Sequence, residues 1–248
     1  MWVHSVLSVL ALVYAAQGTP YARSPSLREE NTTASERLGL KYLTNNSTLP
    51  KILILFTGGT IVGGSIYGGL DDTQYGQIQI TAEQLIARDK YLPTIANLAV
   101  SNWTTETGDS TGTSDSLVMN MTRFAHDALC SPDSDITGAV FTHGTNSLEE
   151  TAFLMDLLVN CHKPVVGVGA MRPWTDLSFD GDANLFQAVA LAASPTSRDR
   201  GVLVAFADKI LPGFWVTKLI PNEPDAFGVT AFGELGAFLN NLPYFYNT

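Results

Sequence analysis

The chain has 248 residues, 45% of them hydrophobic and 15% charged, which is enough apolar material for one large domain or two small ones. Its formal charge of −10, with fourteen scattered Lys and Arg and no basic stripe, excludes a phosphate-backbone partner and therefore nucleic acid. Four His and two Cys show no metal-ligand spacing, so no metal is expected.

Val6 to Ala16 is a mostly apolar run, and Ala16-Gln17-Gly18 places small residues at the −3 and −1 positions of a signal-peptidase site. The run is shorter than the ~20 residues a membrane span requires, so residues 1–18 read as a cleaved secretory signal, leaving no membrane anchor in the mature form. Acceptor triplets for N-glycosylation begin at Asn31, Asn45, Asn46, Asn102 and Asn120 and matter only in a chain that enters the secretory pathway. Both features place the protein outside the cell, or in a cell wall or periplasm. Residues 19–50 are polar, mixed in charge and aperiodic, and read as a surface tail or pro-segment.

Lys51 to Phe56 is apolar throughout and ends in Thr57-Gly-Gly-Thr60, the pattern of a buried parallel strand followed by a tight loop. Thr81-Ala-Glu-Gln84 has the form of a capping box opening a short helix, and Ile95 to Ser101 offers a second strand. Ser114 and Asp115 can cap a helix running to about Leu129. A third strand, Gly138 to Thr142, meets the loop His143-Gly-Thr145-Asn146, and Ser147-Leu-Glu-Glu150 is a second capping box. Behind it, Leu148, Ala152, Met155, Leu158 and Val159 fall on one helical face. A fourth strand spans Pro164 to Val168, a helix Asp182 to Ala193, and a fifth strand Val202 to Phe206, with Phe214 to Lys218 a short extended piece. The recurring strand–helix order predicts an α/β fold, a mainly parallel sheet with helices on both faces.

Loops that follow parallel strands meet at the carboxyl edge of the sheet, where ligands bind in open α/β folds. Thr60 and Thr145 are therefore placed where a hydroxyl can meet a substrate, although the hydroxyls of a TGGT turn can equally bond the local backbone. A Thr hydroxyl must lose its proton to a neighbour as it attacks. His143 and Lys218 are the candidates, each with a plain alternative: a hydrogen-bonded core His, and a surface Lys. The Gly-rich loop lacks the Lys-Ser/Thr of a phosphate loop, and Gly167-Val-Gly169 lacks the third Gly of a dinucleotide fingerprint, so no cofactor is expected.

Thr57-Gly-Gly-Thr60-Ile61, His143-Gly-Thr145 with Glu149-Glu150-Thr151, Gly169-Ala-Met-Arg-Pro173, Asp180-Gly181 with Asn184-Leu185, and Thr217-Lys218 together resemble the secreted type II L-asparaginases, the fungal ones in particular. The resemblance covers residues 51–248 and implies the flavodoxin-like N-terminal domain of that family. It implies hydrolysis of L-asparagine to L-aspartate and ammonia, with an amino acid as the small-molecule substrate and Thr60 as nucleophile. Thr145 matches the family's second active-site Thr, and Lys218 the Lys bonded to it. Tyr67 and Tyr75 both lie where the family carries an activating Tyr on a loop. Ser110, in Gly108-Asp-Ser-Thr111, is the nearest counterpart of the substrate-carboxylate segment, with Thr111 beside it. A disulfide between Cys130 and Cys161, on either side of the third strand, is also implied, and an oxidising compartment permits it. So is a homo-oligomeric assembly.

Two departures bear on activity. The family continues its second motif as His-Gly-Thr-Asp, whereas this chain has Asn146, which carries no charge for a substrate α-ammonium. The chain also stops at Thr248, about where the family's smaller C-terminal domain begins, and that domain is expected to be absent. A non-catalytic asparaginase-like secreted protein is thus a second reading. A glutaminase-asparaginase is a third, since one methylene discriminates by only ~1 to 3 kcal/mol.

Overall fold

The computed structural model describes residues 32–104 and 114–247. Within it α1 (Ala34–Arg37) opens on a capping box in which Thr33 Oγ1 accepts from the Glu36 N–H and the Glu36 carboxylate accepts from the Thr33 N–H. The stretch around it, read from composition as a tail, is docked on the sheet and helices. Ala34 and Ser35 are buried, Arg37 pairs with Asp127 and Asp133, and Tyr42 bridges antiparallel to Ala99. These contacts are polar and long-range, so no apolar period announced them.

The order continues with β1 (Lys51–Phe56), the two-residue strands β2 (Gly63–Gly64) and β3 (Ile78–Gln79), α2 (Ala82–Arg88), α3 (Leu92–Ile95) and β4 (Asn97–Asn102). It then runs through α4 (Asp115–Cys130), β5 (Gly138–Thr142), α5 (Leu148–Leu158), β6 (Val165–Val168), α6 (Gly181–Ala193) and β7 (Val202–Phe206). The remaining strands are β8 (Lys209–Pro212), β9 (Thr217–Lys218), β10 (Phe227–Gly228), β11 (Gly236–Leu239) and β12 (Leu242–Phe245).

The main sheet has the order β12-β11-β8-β7-β6-β5-β1-β4. Strands β4 to β7 in that order are parallel, and β8, β11 and β12 add an antiparallel extension at one end. Taken in chain order, the parallel strands lie second, first, third, fourth, fifth, which is flavodoxin-like winding, with its switch point between β1 and β5. Alternation along β1 sends Ile52, Ile54 and Phe56 to one core and Leu53 and Leu55 to the other. Helices α2, α3 and α6 cover the first face, and α4 and α5 the second. Cys130 at the end of α4 is bonded to Cys161, just beyond α5, with Cα atoms 5.4 Å apart.

Several local expectations change. Ile95 closes α3, so the second strand begins at Asn97. Thr81 and Gln84 form their capping box, but Ser147 does not: its backbone, at φ −139° and ψ 22°, is far from the extended form of a capping residue, and it makes no side-chain cap. On α5, Thr151 replaces Leu158 on the buried face, and Leu158 is exposed. Phe214 and Trp215 form a turn, and the extended piece is only β9, paired with β10. The antiparallel strands went unread because their hairpin turns lack glycine. Ala207-Asp208 and Asn240-Asn241 take the left-handed conformation, with φ of 49° and 64°, and 53° and 61°.

Candidate active site

The loops after β1 and β5 leave the sheet on either side of its switch point and touch through glycine. Gly59, at φ +91°, lies so close that a Cβ there would fall on the Cα and N of Gly144. Thr57 is spent on this architecture: its hydroxyl donates to the Thr142 carbonyl at 2.6 Å, and its N–H to Thr142 Oγ1 at 3.3 Å. Thr60 is not. Only 9% exposed, it donates its hydroxyl to the phenol oxygen of Tyr75 at 3.2 Å.

Tyr75 belongs to a flap closed at its base by β2 and β3, which pair Gly63 with Gln79 and Gly64 with Ile78. It lines a cleft of about 270 Å3 together with Asp72, Thr145, Asn146, Arg172 and Lys218. Tyr67 is 65% exposed on the same flap, does not line this cleft, and uses its backbone N–H on Ser65 Oγ. The structure thus brings Tyr75 to Thr60 and leaves Tyr67 outside. Ser110 and Thr111 lie outside the described residues.

On the far side of the switch point Lys218 Nζ donates to Thr145 Oγ1 at 2.8 Å. Lys218 is delivered by β9, whose partner β10 is rooted in the second core by Phe227 against Phe206, with ring centres 4.8 Å apart. The first turn of α5 grips the same residue, because the Glu149 carboxylate accepts the Lys218 backbone N–H. Burial lowers the Lys218 pKa below its ordinary value, and the Glu149 charge opposes that fall.

His143 is fully buried and occupied. Its Nδ1 lies 2.9 Å from the Gly144 carbonyl, which can only accept, so Nδ1 carries the proton and Nε2 accepts from the Thr151 hydroxyl at 3.0 Å. Burial also lowers its pKa, partly offset by the Gly144 bond, so the ring is a neutral strut under the loop.

The third wall, Gly169 to Arg172, hangs on Asp180. The Met171 and Arg172 N–H groups each donate to its carboxylate at 3.0 Å, and Asn184 Nδ2 donates to Gly169 O at 3.1 Å. Burial raises the Asp180 pKa against those backbone bonds. Asp72, Glu149 and Arg172 received no role from sequence. Glu149 and Arg172 stand inside recognisable motifs, whereas Asp72 has no signal beyond its place in a Gly-rich loop. Among the described residues no group of three or more His, Cys, Asp and Glu side chains could hold a metal, and no helix is long and apolar enough to cross a membrane.

The family profile described as Asparaginase, N-terminal, matches residues 51–248. L-asparaginase 2-3 of Saccharomyces cerevisiae is 41% identical over 205 residues, covering 81% of this chain and 54% of its own. L-asparaginase 2 of Bacillus subtilis is 32% identical over 237 residues, covering 96% of this chain and 62% of its own. The chain therefore spans little more than half the length of these curated relatives. In structure it is similar to the crystal structure of a probable cytoplasmic L-asparaginase from Campylobacter jejuni, with a TM-score of 0.73, 35% identity, and coverage of 80% of this chain and 58% of that one. A family match from β1 onward, a like fold and a threonine on each of the two loops that flank the sheet's switch point make this chain a member of the asparaginase family.

Proposed function

We propose that the protein hydrolyses the side-chain amide of L-asparagine to L-aspartate and ammonia, with Thr60 as nucleophile. The observation that carries this is two hydrogen-bonded hydroxyls at one sheet edge: Thr60, which donates to Tyr75, and Thr145, which accepts from Lys218. Thr60 Oγ1 attacks the amide carbon while its proton passes to the Tyr75 oxygen it already faces and the Tyr75 hydroxyl releases its own proton toward the amide nitrogen. The tetrahedral intermediate breaks its C–N bond, the nitrogen takes a proton and leaves as ammonia, and an ester remains on Thr60. Water then adds to that ester, the C–O bond breaks, and L-aspartate and the free Thr60 hydroxyl return. Lys218, with its lowered pKa, accepts a proton through the Thr145 hydroxyl in the water step.

The test is ammonia release by the purified protein. L-asparagine is expected to be consumed, Thr60→Ala to lose at least about a hundredfold in rate, and L-glutamine run in parallel measures the cost of one extra methylene. Full activity in Thr60→Ala removes that residue from its role.

The protein is further proposed to be exported and to act as a homo-oligomer. Export is supported by the signal-like residues 1–18, the Cys130–Cys161 bond and the exposed acceptors Asn45, Asn46, Asn102 and Asn120. Self-association is supported by the exposed aromatic run Phe153, Phe214, Trp215 and Phe232, whose successive ring centres lie 4.8 to 5.0 Å apart.

A further inference from the structure

An amino-acid amide is a zwitterion near neutral pH, and a cleft that selects it must meet a cation and an anion beside the reacting carbon. Three charged residues line this cleft: Asp72, Arg172 and Lys218. The Lys218 ammonium is committed to Thr145, and Arg172 Nη1 donates to the Ser178 carbonyl at 3.2 Å. Asn146, beside Thr145, is neutral. The negative charge that lines the cleft is Asp72.

Its neighbour shows that this carboxylate is not there to build the loop. Asp71 Oδ1 accepts from the N–H groups of Thr73 and Gln74 at 3.0 and 3.1 Å and from the Thr73 hydroxyl at 2.9 Å, which fixes the turn of the flap. Asp72 has no hydrogen bond or ion pair among the described residues. Two adjacent aspartates thus divide the work: one folds the flap, and the other is presented to the cleft three residues before Tyr75. The flap therefore brings to one cleft a negative charge and Tyr75, the residue whose phenol meets Thr60, and Arg172 lines the same cleft with the opposite charge.

We propose that Asp72 binds the α-ammonium of the substrate and makes the cleft selective for α-amino-acid amides over amides that lack the amine. The proposal rests on the amidohydrolase reading above. It is tested with L-asparagine and succinamic acid, the same amide without the ammonium, on the full chain and its Asp72→Asn variant. A hydrogen-bonded charge pair predicts that the kcat/KM preference of the wild type for L-asparagine narrows by about ten- to a hundredfold in Asp72→Asn. An equal preference in the two proteins overturns the proposal. Should the wild type hydrolyse neither amide, the reaction assigned above fails, and Asp72 is judged by calorimetric titration with L-aspartate and succinate. The wild type is then expected to favour L-aspartate and Asp72→Asn to lose that preference. Equal preference in both, or no binding of L-aspartate by the wild type, overturns the assignment.

Discussion

Lys218 carries two bonds at once, its ammonium on the Thr145 hydroxyl and its backbone N–H on Glu149. To take a proton from Thr145 it must first shed its own, so the hydrolytic rate should rise with pH to a plateau, with a midpoint below the ordinary lysine value of 10.5. The stability contribution has the same sign. At low pH the folded chain bears a half-buried ammonium, and that cost disappears as pH rises through the lowered folded pKa toward the unfolded one. Glu149 works against the shift, so Glu149→Gln, which keeps an acceptor for the backbone bond, should move the midpoint to lower pH. A pH–rate profile unchanged in that variant would detach Lys218 from the rate. At this scale the sequence is an uneven guide. It marked Thr60, Thr145 and Lys218 by motif, but Thr57 and Thr60 are chemically equal until the Thr142 carbonyl claims the first. Tyr67 and Tyr75 differ only in which one the Asp71 turn and the β2–β3 pairing carry to Thr60, a matter of chain path that spacing alone does not settle.

Among the elements, those that carry the cleft were the legible ones. β1, β5 and β7 fall where continuous apolar runs placed them, because strands covered on both faces must be apolar throughout. The edges were opaque: β8, β11 and β12 depend on left-handed turns built from Ala, Asp and Asn, and on α6 side chains. Gln187 donates to Asp208 and Asn241, and Asn184 accepts from the Ala207 N–H, so one helix holds both hairpins by polar bonds. The contact of the loops after β1 and β5 was half legible, since glycines were visible but not their mutual approach. Gly59→Ala tests it. A methyl group there meets Gly144 backbone, which cannot rotate away, on a residue at φ +91°. The variant should lose about 2 kcal/mol or more in urea unfolding. It should also lose about a hundredfold in ammonia release, the scale expected of a ~1 Å misplacement. A variant as stable and as active as its parent would mean the loops can separate at little cost.

Across the molecule, the sheet has two outer strands, and each is blunted differently. β12 carries Pro243, which has no N–H to offer a further strand. β4 is covered from outside by residues ahead of the family match, through the Tyr42–Ala99 bridge and the Leu43 N–H on the Leu98 carbonyl at 2.8 Å. The segment before Lys51 therefore occupies hydrogen-bonding positions on β4 that another strand would need, and should act as a guard against strand addition. A protein trimmed to the start of the family match would present β4 as an open template for strand addition, and fibrillar, thioflavin-positive aggregates should grow on incubation where the full chain stays clear. If the trimmed protein stays equally clear, the guard is unnecessary. With both margins closed, a second copy finds no free hydrogen-bond ladder to extend, and the exposed aromatic side chains, such as those of the Phe214–Trp215 turn, lie away from the sheet edges.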